Sequence, residues 1–257
     1  MRKNSADKDF VASLQKGLEV LTCFGRQHSR LTVSEVARLT AASPASARRS
    51  LLTLQALGYL DGDGKRFWMA AKSLLVAHSF LASRPMPSIA QPLLDALSER
   101  TRESASLGTL QDDDAIIIGR STARRSLSTG LGIGSRLPAY CSALGRVLLA
   151  GLAPESAETR VRSMARDALT PRTVFKADEV LALLARCRAE GYAGNDGELE
   201  IGVRSMAVPV RDRTGGTVAA MSIAVSAERM AFAEFREAFL PSLQKARSTL
   251  EKRLYPG

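Results

Sequence analysis

A chain of 257 residues, of which 45% are hydrophobic, can bury one large core or two unequal ones, and we expect two domains. Its 36 Lys and Arg residues exceed its 26 Asp and Glu residues, and the formal net charge of +10 favours a polyanionic partner such as nucleic acid or an acidic membrane face. Residues 1–84 hold 13 basic and 6 acidic side chains, whereas residues 85–257 hold 23 and 20. The first third is therefore the basic part.

The cysteines and the hydropathy pattern exclude several classes of protein. Cys23, Cys141 and Cys187 are odd in number and far apart, so we expect reduced thiols and neither a disulfide framework nor a zinc site. The longest apolar stretch, residues 74–82, contains His78 and is too short to span a bilayer. We therefore expect a cytoplasmic protein with no metal, cofactor or membrane partner.

The first third of the chain predicts three helices. Apolar residues at helical spacing indicate a helix over residues 12–24. Thr32 and Glu35 form a capping-box pattern that starts a second helix, and Ser43 followed by Pro44 starts a third. Two short helices separated by a tight turn are typical of a helix-turn-helix, which binds double-stranded DNA.

The third helix, predicted over residues 44–56, has an apolar stripe and an opposite polar face. The stripe, which would pack on the first two helices, comprises Ala47, Leu51, Leu54 and Leu57. On the polar face we expect Ser46 and Arg49 to contact bases and Arg48 to be shared between bases and backbone, because Arg can bind guanine or phosphate. The alternative is that the arginine pair only solvates a surface helix.

A β-hairpin, the wing of a winged helix, is predicted after residue 58. Strand-like residues flank the turn DGDG at residues 61–64. Lys65 and Arg66 would contact phosphate or the minor groove, whereas Phe67 and Trp68 are expected to pack against the helices. The residues expected to contact DNA are Thr32, Ser43, Ala45, Ser46, Arg48, Arg49, Thr53, Lys65 and Arg66.

Helices and strands are mixed without regular alternation beyond residue 70. Residues 70–83 predict a helix that joins the two parts and offers a dimer surface, and Pro85 and Pro87 are expected to break the chain after it. Further helices are predicted over residues 89–102, 142–150, 154–166, 177–190 and 231–253. Strands are predicted over residues 104–110, 115–120, 126–131, 205–210 and 217–225. The expected fold class is therefore α+β.

Several segments together resemble one protein family. They are TVSEVAR, GYLDGDGKRFW, RLPAYCSALGRVLLAGL at residues 136–152, LTPRT at 169–173 and GELEIGVRSMAVPVRDRTGGTVAAMSIAVS at 197–226. In this order, over about residues 10–254, they resemble the IclR family of bacterial transcription regulators. The likeness is closest to its β-ketoadipate branch, the protocatechuate and 4-hydroxybenzoate regulators. It implies a winged helix-turn-helix over residues 1–70, a linker helix over 71–84 and a GAF-like effector-binding domain over 85–257.

The resemblance also implies which positions line the effector pocket. They are Ser142, Ala143, Leu144, Asn195, Val203, Ser205, Ser222 and Ala224, to which we add Leu131 and Arg136. Residues 142–144 would open a helix, whose free N–H groups attract a carboxylate, and Arg136 would supplement that charge. The alternatives are ordinary internal hydrogen bonds for Ser142 and Ser205, and a surface ion pair for Arg136 and Arg204.

The chain departs from the family pattern at two places. Ala41 and Ala42 stand in the turn before the third helix, where the family has glycine, and a positive φ there would cost about 1 kcal/mol. Asn195 and Ser205 stand where some relatives carry an acid and a thiol. The polarity of the pocket is therefore expected to differ from theirs.

An enzyme and an RNA-binding protein are the alternatives. Ser142 lacks a G-x-S-x-G context, and His28 and His78 lie in or near the DNA-binding part. Residues 112–114, all Asp, fit a solvated turn better than a metal site. An RNA-binding sheet would need aromatic platforms, and only 5% of residues are aromatic.

We therefore expect a regulator and not an enzyme. Its expected partners are a pseudo-palindromic double-stranded operator, a small organic acid and further copies of the chain in a homodimer or tetramer. RNA polymerase would join them if the protein activates transcription.

Overall fold

The computed structural model describes residues 9–25, 28–123 and 130–256. The chain divides into two compact units, an N-terminal unit, Met1–Phe80, and a C-terminal unit, Leu81–Gly257. The division falls inside the helix Leu74–Ser83, in the segment predicted to link two domains. The domain bounds at residues 70 and 84 stay a prediction.

The second and third helices of the N-terminal unit begin at the predicted caps. In chain order the helices are α1 (Ala12–Thr22), α2 (Val33–Leu39) and α3 (Pro44–Ala56). The Thr32 hydroxyl accepts the Glu35 N–H at 3.3 Å, and the Glu35 carboxylate accepts the Thr32 N–H at 2.7 Å. The Ser43 hydroxyl accepts the Ser46 N–H at 3.3 Å. The predicted capping box and N-cap are therefore confirmed, and each satisfies N–H groups that a helix start leaves unpaired.

The turn between α2 and α3 keeps a left-handed residue although it lacks glycine. Ala41 has a φ of 51°, a left-handed conformation that is normally the place of glycine. The Ala42 N–H donates to the Ala37 carbonyl at 3.0 Å, which closes the end of α2 in a Schellman-like arrangement. Alanine thus occupies a position at which its Cβ is unfavourable.

An antiparallel sheet completes the N-terminal unit. Its strands are β1 (Leu31–Thr32), β2 (Leu60–Gly62) and β3 (Arg66–Met69), in the order β1–β3–β2. The hairpin of β2 and β3 is the predicted wing, and the two-residue β1 was not predicted.

The core of this unit follows the predicted stripe except at its end. Ala47, Leu51 and Leu54 are buried with Phe67, as predicted. The prediction for Leu57 was wrong, since its side chain is 53% exposed. The reason is that α3 ends at Ala56, so the next residue leaves the helical stripe.

The C-terminal unit combines helices with a second antiparallel sheet. A short 3-10 turn, Ala71–Ser73, and helix α4 (Leu74–Ser83) lead from the N-terminal unit into the C-terminal unit. The further helices are α5 (Pro85–Thr101), α6 (Ala143–Ala150), α7 (Pro154–Ser163), α8 (Ala177–Glu190) and α9 (Phe232–Leu254). The strands are β4 (Ser104–Gln111), β5 (Asp114–Ser121), β6 (Arg136–Pro138), β7 (Ala193–Asp196), β8 (Val203–Arg211) and β9 (Thr217–Ser226). Their order is β6–β5–β4–β9–β8–β7, which confirms the α+β class.

Three predictions for this unit need correction. The helix predicted over residues 89–102 begins earlier, at Pro85, because proline lacks only an N–H that the first helical turn leaves unpaired. The break predicted before it is present but is confined to Arg84, between the end of α4 and the start of α5. The predicted strand 126–131 lies mostly outside the described residues, and its described residues 130–131 are not in a strand. Helix α7 ends at Ser163, three residues earlier than predicted.

Strand β7 was not predicted at all. Its residues, Ala193–Asp196, are Ala, Gly, Asn and Asp, which are poor strand formers. Antiparallel pairing with β8 stabilises this strand, although its residues have a low strand propensity.

The two faces of the second sheet differ in side-chain size. The face toward α5 and α9 carries large apolar residues such as Leu107, Met206 and Met221. The face toward α6 carries small residues, including Ala207 and Ala220. In the described part of the chain, every helix falls short of the length or the hydropathy needed to traverse a lipid bilayer.

Candidate functional site

A cavity lies between the second sheet and the N-terminal end of α6, and we call it the central cavity. It is lined by Ser106, Ile117, Arg120, Leu131, Leu137, Ser142, Ala143, Leu144, Asn195, Leu199, Glu200, Val203, Ser205, Ser222 and Ala224. The structure thus brings together every residue expected to line an effector pocket except Arg136. Its volume of about 50 Å³ is small beside the roughly 300–1,000 Å³ of sites for drug-sized ligands, so a compact ligand matches it best.

Cross-strand neighbours form the floor of the central cavity. Ser106 on β4 pairs with Arg120 on β5 and with Ser222 on β9, so these three side chains share one face of the sheet. In the next row, Ser205 on β8 pairs with both Ala224 and Asn195. The floor is therefore made of small and polar side chains, with one long cation at its β5 side.

The start of α6 forms the opposite wall. Ser142 caps the helix: its hydroxyl accepts the Gly145 N–H at 3.2 Å and donates to the Pro138 carbonyl at 2.8 Å. Gly145 allows the chain to cross closely here, because a Cβ on it would lie 2.2 Å from the Ala139 Cα. The Asn195 amide donates to the Cys141 carbonyl, which joins the floor to this wall.

A buried ion pair that the sequence analysis did not single out fixes a third wall. The Arg146 side chain is 2% exposed and donates to the two carboxylate oxygens of Glu198 at 2.6 and 2.5 Å. It also donates to the Tyr140 carbonyl at 2.9 Å, and Glu198 accepts the Val174 N–H at 3.0 Å. This bidentate pair ties α6 to the loop that carries the lining residue Leu199.

Arg120 is the lining cation, and it was also missed. Its side chain is half-buried, and its Nη1 donates to the Ser106 hydroxyl at 2.8 Å. Burial lowers the pKa of the Arg120 guanidinium, because removal from water disfavours the charged form.

The structure does not support the prediction for Arg136. This residue is exposed on β6 and does not line the central cavity. Its Nε donates to the Asp114 carboxylate at 2.8 Å across the β5–β6 pair, which makes it a surface ion pair, the alternative given above. Arg204 likewise pairs with Asp196, at 2.7 Å.

The outward face of α3 carries the residues predicted to read DNA. Ala45, Arg48, Arg49 and Thr53 are exposed, and Ser46 is half-buried. Helix α3 begins at Pro44, and Ala45 and Ser46 follow in its first turn. Their small side chains leave room for the helix to approach the base edges of DNA closely. The face is polar and basic, as predicted.

Arg49 also lies beside an apolar groove between α3 and α1. The groove is lined by Ser46 and Thr53 of α3 together with Leu14 and Leu18 of α1. The two leucines are 61% and 54% exposed, so α1 presents an apolar surface next to the basic one.

The wing places further cations at the edge of the N-terminal unit. Lys65 and Arg66 are exposed, and the Asp63 carboxylate accepts their N–H groups at 2.9 and 2.7 Å, which orders the turn. The Trp68 side chain is half-buried, and the Arg30 guanidinium lies over its ring at 4.4 Å. Thr32 and Ser43 act as helix caps, so their hydroxyls are already engaged within the unit.

Comparison with known proteins shows the same two-part organisation. Residues 13–64 match the IclR helix-turn-helix domain, and residues 78–251 match the domain described as bacterial transcriptional regulator IclR C-terminal. The chain is 36% identical over 252 residues to the Pca regulon regulatory protein of Pseudomonas putida, covering 98% of this chain and 87% of that protein.

Solved structures extend the similarity to the fold. A transcriptional regulator from Rhodococcus sp. RHA1 is 39% identical with a TM-score of 0.79, over 95% of this chain and 98% of that one. An IclR homologue from Microbacterium hydrocarbonoxydans, solved in complex with 4-hydroxybenzoate, is 24% identical with a TM-score of 0.76, over 94% and 98%. With both of its units matched and a relative above 30% identity along nearly its full length, this chain belongs to the IclR family of bacterial transcription regulators.

Proposed function

We propose that this DNA-binding regulator recognises a pseudo-palindromic operator as a homodimer or tetramer, and that a small aromatic acid bound in the central cavity changes its affinity for that operator. The observation that carries the proposal is the convergence on a single cavity of nine expected residues, eight of them implied by the family resemblance. The homologue from Microbacterium hydrocarbonoxydans that holds 4-hydroxybenzoate supports an aromatic acid as the ligand.

The N-terminal unit supplies the DNA contacts in this proposal. The first turns of α3 would enter the major groove, where Arg49 and Ser46 contact bases and Arg48 is shared with the backbone. Lys65 and Arg66 of the wing would contact phosphates. A dimer would place two such heads on half-sites one helical turn apart, and an activating regulator would also contact RNA polymerase.

The exposed apolar residues of the N-terminal unit support self-association. Helix α4 has no buried residue, and Leu74, Leu75 and Val76 are each at least 60% exposed. Apolar surface of this extent is typical of a protein interface.

Catalysis forms no part of this function. The relatives described above are named as regulators. Burial raises the pKa of both Cys141 and Cys187 to about 11, so these thiols stay protonated and are poor nucleophiles near neutral pH. We also propose a cytoplasmic location, since a bacterial regulator meets its operator there.

The regulation we propose is a shift between two arrangements of the DNA-binding units. A ligand can shift such an equilibrium only through a difference in its affinity for the two states. Typical coupling energies would change operator affinity about 5- to 150-fold.

Selection from a random duplex pool with the full-length protein, followed by fluorescence anisotropy with and without 4-hydroxybenzoate, tests the proposal. We expect enrichment of an inverted repeat, an affinity that falls with salt, and an affinity change when the acid is added. A pool that shows no sequence enrichment would contradict the operator role, and unchanged affinity at saturating acid would contradict the regulation.

A further inference from the structure

A β-bulge turns Arg120 toward the central cavity. Along β4 and β5 the pairing steps from Gly108 with Ile117 to Leu107 with Gly119, so Ile118 is passed over. Ile117 belongs to the core on the α6 face, and regular alternation from it would place Arg120 on the α5 face. The extra residue reverses the alternation, and such bulges commonly redirect a side chain at a functional site.

The surroundings of the guanidinium make it a site for an anion. Burial disfavours the charged form of the guanidinium, and a carboxylate bound in the cavity would stabilise that form. The hydrogen bond from Nη1 to Ser106 at 2.8 Å holds the side chain along the floor of the cavity. Glu200, the other charged lining residue, is exposed, so its charge is better screened by water.

We propose that Arg120 binds the carboxylate of the effector, and that this contact restricts the central cavity to compact monocarboxylic acids. The proposal rests on the proposed function and assigns the acid a place in the same cavity. The planar guanidinium can donate two parallel hydrogen bonds to a carboxylate, which fixes the orientation of the acid as well as its charge.

The geometry of the floor then orients the rest of the ligand. The guanidinium lies over β4, because it contacts Ser106, and neighbouring strands are about 4.8 Å apart. Ser222 on β9 lies one strand further and Ser205 on β8 two strands further. A single ring extends from Arg120 over Ser222, with its far end toward Ser205.

Isothermal titration calorimetry on the full-length protein tests the assignment with 4-hydroxybenzoate and its uncharged analogue 4-hydroxybenzamide. The wild type is expected to bind the acid more tightly than the amide. Arg120→Gln should weaken acid binding roughly 10- to 100-fold, the loss of a charge-assisted hydrogen-bond pair, and remove the preference for the acid. Arg120→Lys keeps the charge without the planar fork and should give an intermediate loss.

Two further variants separate the possible causes. Arg162→Gln removes an exposed arginine of α7 that pairs with Glu158 and should leave both affinities unchanged. Arg136→Gln removes the arginine of β6 that was first expected to bind the carboxylate, and it should also leave both affinities unchanged. Thermal melting of each variant shows whether the fold is kept, and Arg120→Lys retains the test if Arg120→Gln unfolds.

The outcomes distinguish this proposal from the proposed function. Acid binding and acid preference that survive both Arg120 substitutions would overturn the assignment while leaving the aromatic effector in place. Loss on Arg136→Gln alone would transfer the role to that residue and overturn it as well. A wild type that binds no member of a panel of aromatic and aliphatic monocarboxylates would overturn both.

Discussion

The proposed DNA-binding surface and the central cavity are built in opposite ways. The surface comes from one helix of 13 residues and an adjacent hairpin, so its functional residues are close in sequence. The cavity combines all six strands of the second sheet, β4 to β9, with the start of α6, and its lining residues range from Ser106 to Ala224. Single substitutions should therefore remove DNA contacts without loss of stability, whereas the cavity depends on interactions that also hold the C-terminal unit together.

Breaking the Arg146–Glu198 pair should give the largest effect. Arg146→Ala leaves the Glu198 carboxylate buried without its cation, which should lower the free energy of unfolding by about 3–5 kcal/mol. Urea denaturation of the C-terminal unit within the full-length protein measures this. Arg162→Ala is the control, because it breaks an exposed ion pair, and it should lower the free energy of unfolding by about 1 kcal/mol or less. Equal losses of unfolding free energy in the two variants would mean that the buried pair stabilises the fold no more than the exposed one does.

Removal of Arg49 should affect DNA binding and leave stability unchanged. Arg49→Ala should weaken specific binding by about 1–3 kcal/mol if the side chain reads a base, with no change in melting temperature because it is exposed. Anisotropy titrations on selected and mutated duplexes measure the discrimination. If the variant still separates the two duplexes as the wild type does, Arg49 is not a base-reading residue.

The wing should contribute to the electrostatic affinity for DNA and not to sequence specificity. Lys65→Ala is expected to weaken binding to all duplexes alike and to reduce the slope of log K against log salt by about 1. Titrations at several salt concentrations test this. A loss confined to one sequence would instead assign Lys65 to base contacts.

The turn before α3 should give the smallest effect. Ala41→Gly removes the steric cost of the positive φ but increases the conformational entropy of the unfolded chain. The free energy of unfolding is therefore expected to rise by less than about 1 kcal/mol. Ala42→Gly is the matched control, because Ala42 is absent from the positive-φ positions of the described residues, and it should destabilise by roughly 0.5–1 kcal/mol. If both variants change the melting temperature equally, Ala41 is not strained.

The same contrast explains which features the sequence could predict. The caps at Thr32 and Ser43 and the polar face of α3 depend on residues within four positions of each other, and local pattern reading recovers them. The positions in the cavity were found by family resemblance. Arg120 was missed because a bulge, invisible to simple alternation, changes its face, and Glu198 because its partner Arg146 is 52 residues away in the chain.

Arg136 shows the opposite error. Its position just before a helix start suggested a role in charge binding, but β6 pairs with β5 and brings it to Asp114 at the edge of the sheet. Sequence proximity to Ser142 therefore did not place the Arg136 side chain in the cavity lining, although its neighbour Leu137 lies there.

The most direct test of the account is the affinity of the full-length protein for its selected duplex, measured by anisotropy at increasing 4-hydroxybenzoate. The account predicts a saturable change of about 5- to 150-fold in the wild type that Arg120→Gln shifts to higher acid concentration. Saturable acid binding, seen independently by calorimetry, with no change in duplex affinity would contradict the claim that the cavity controls the DNA-binding surface.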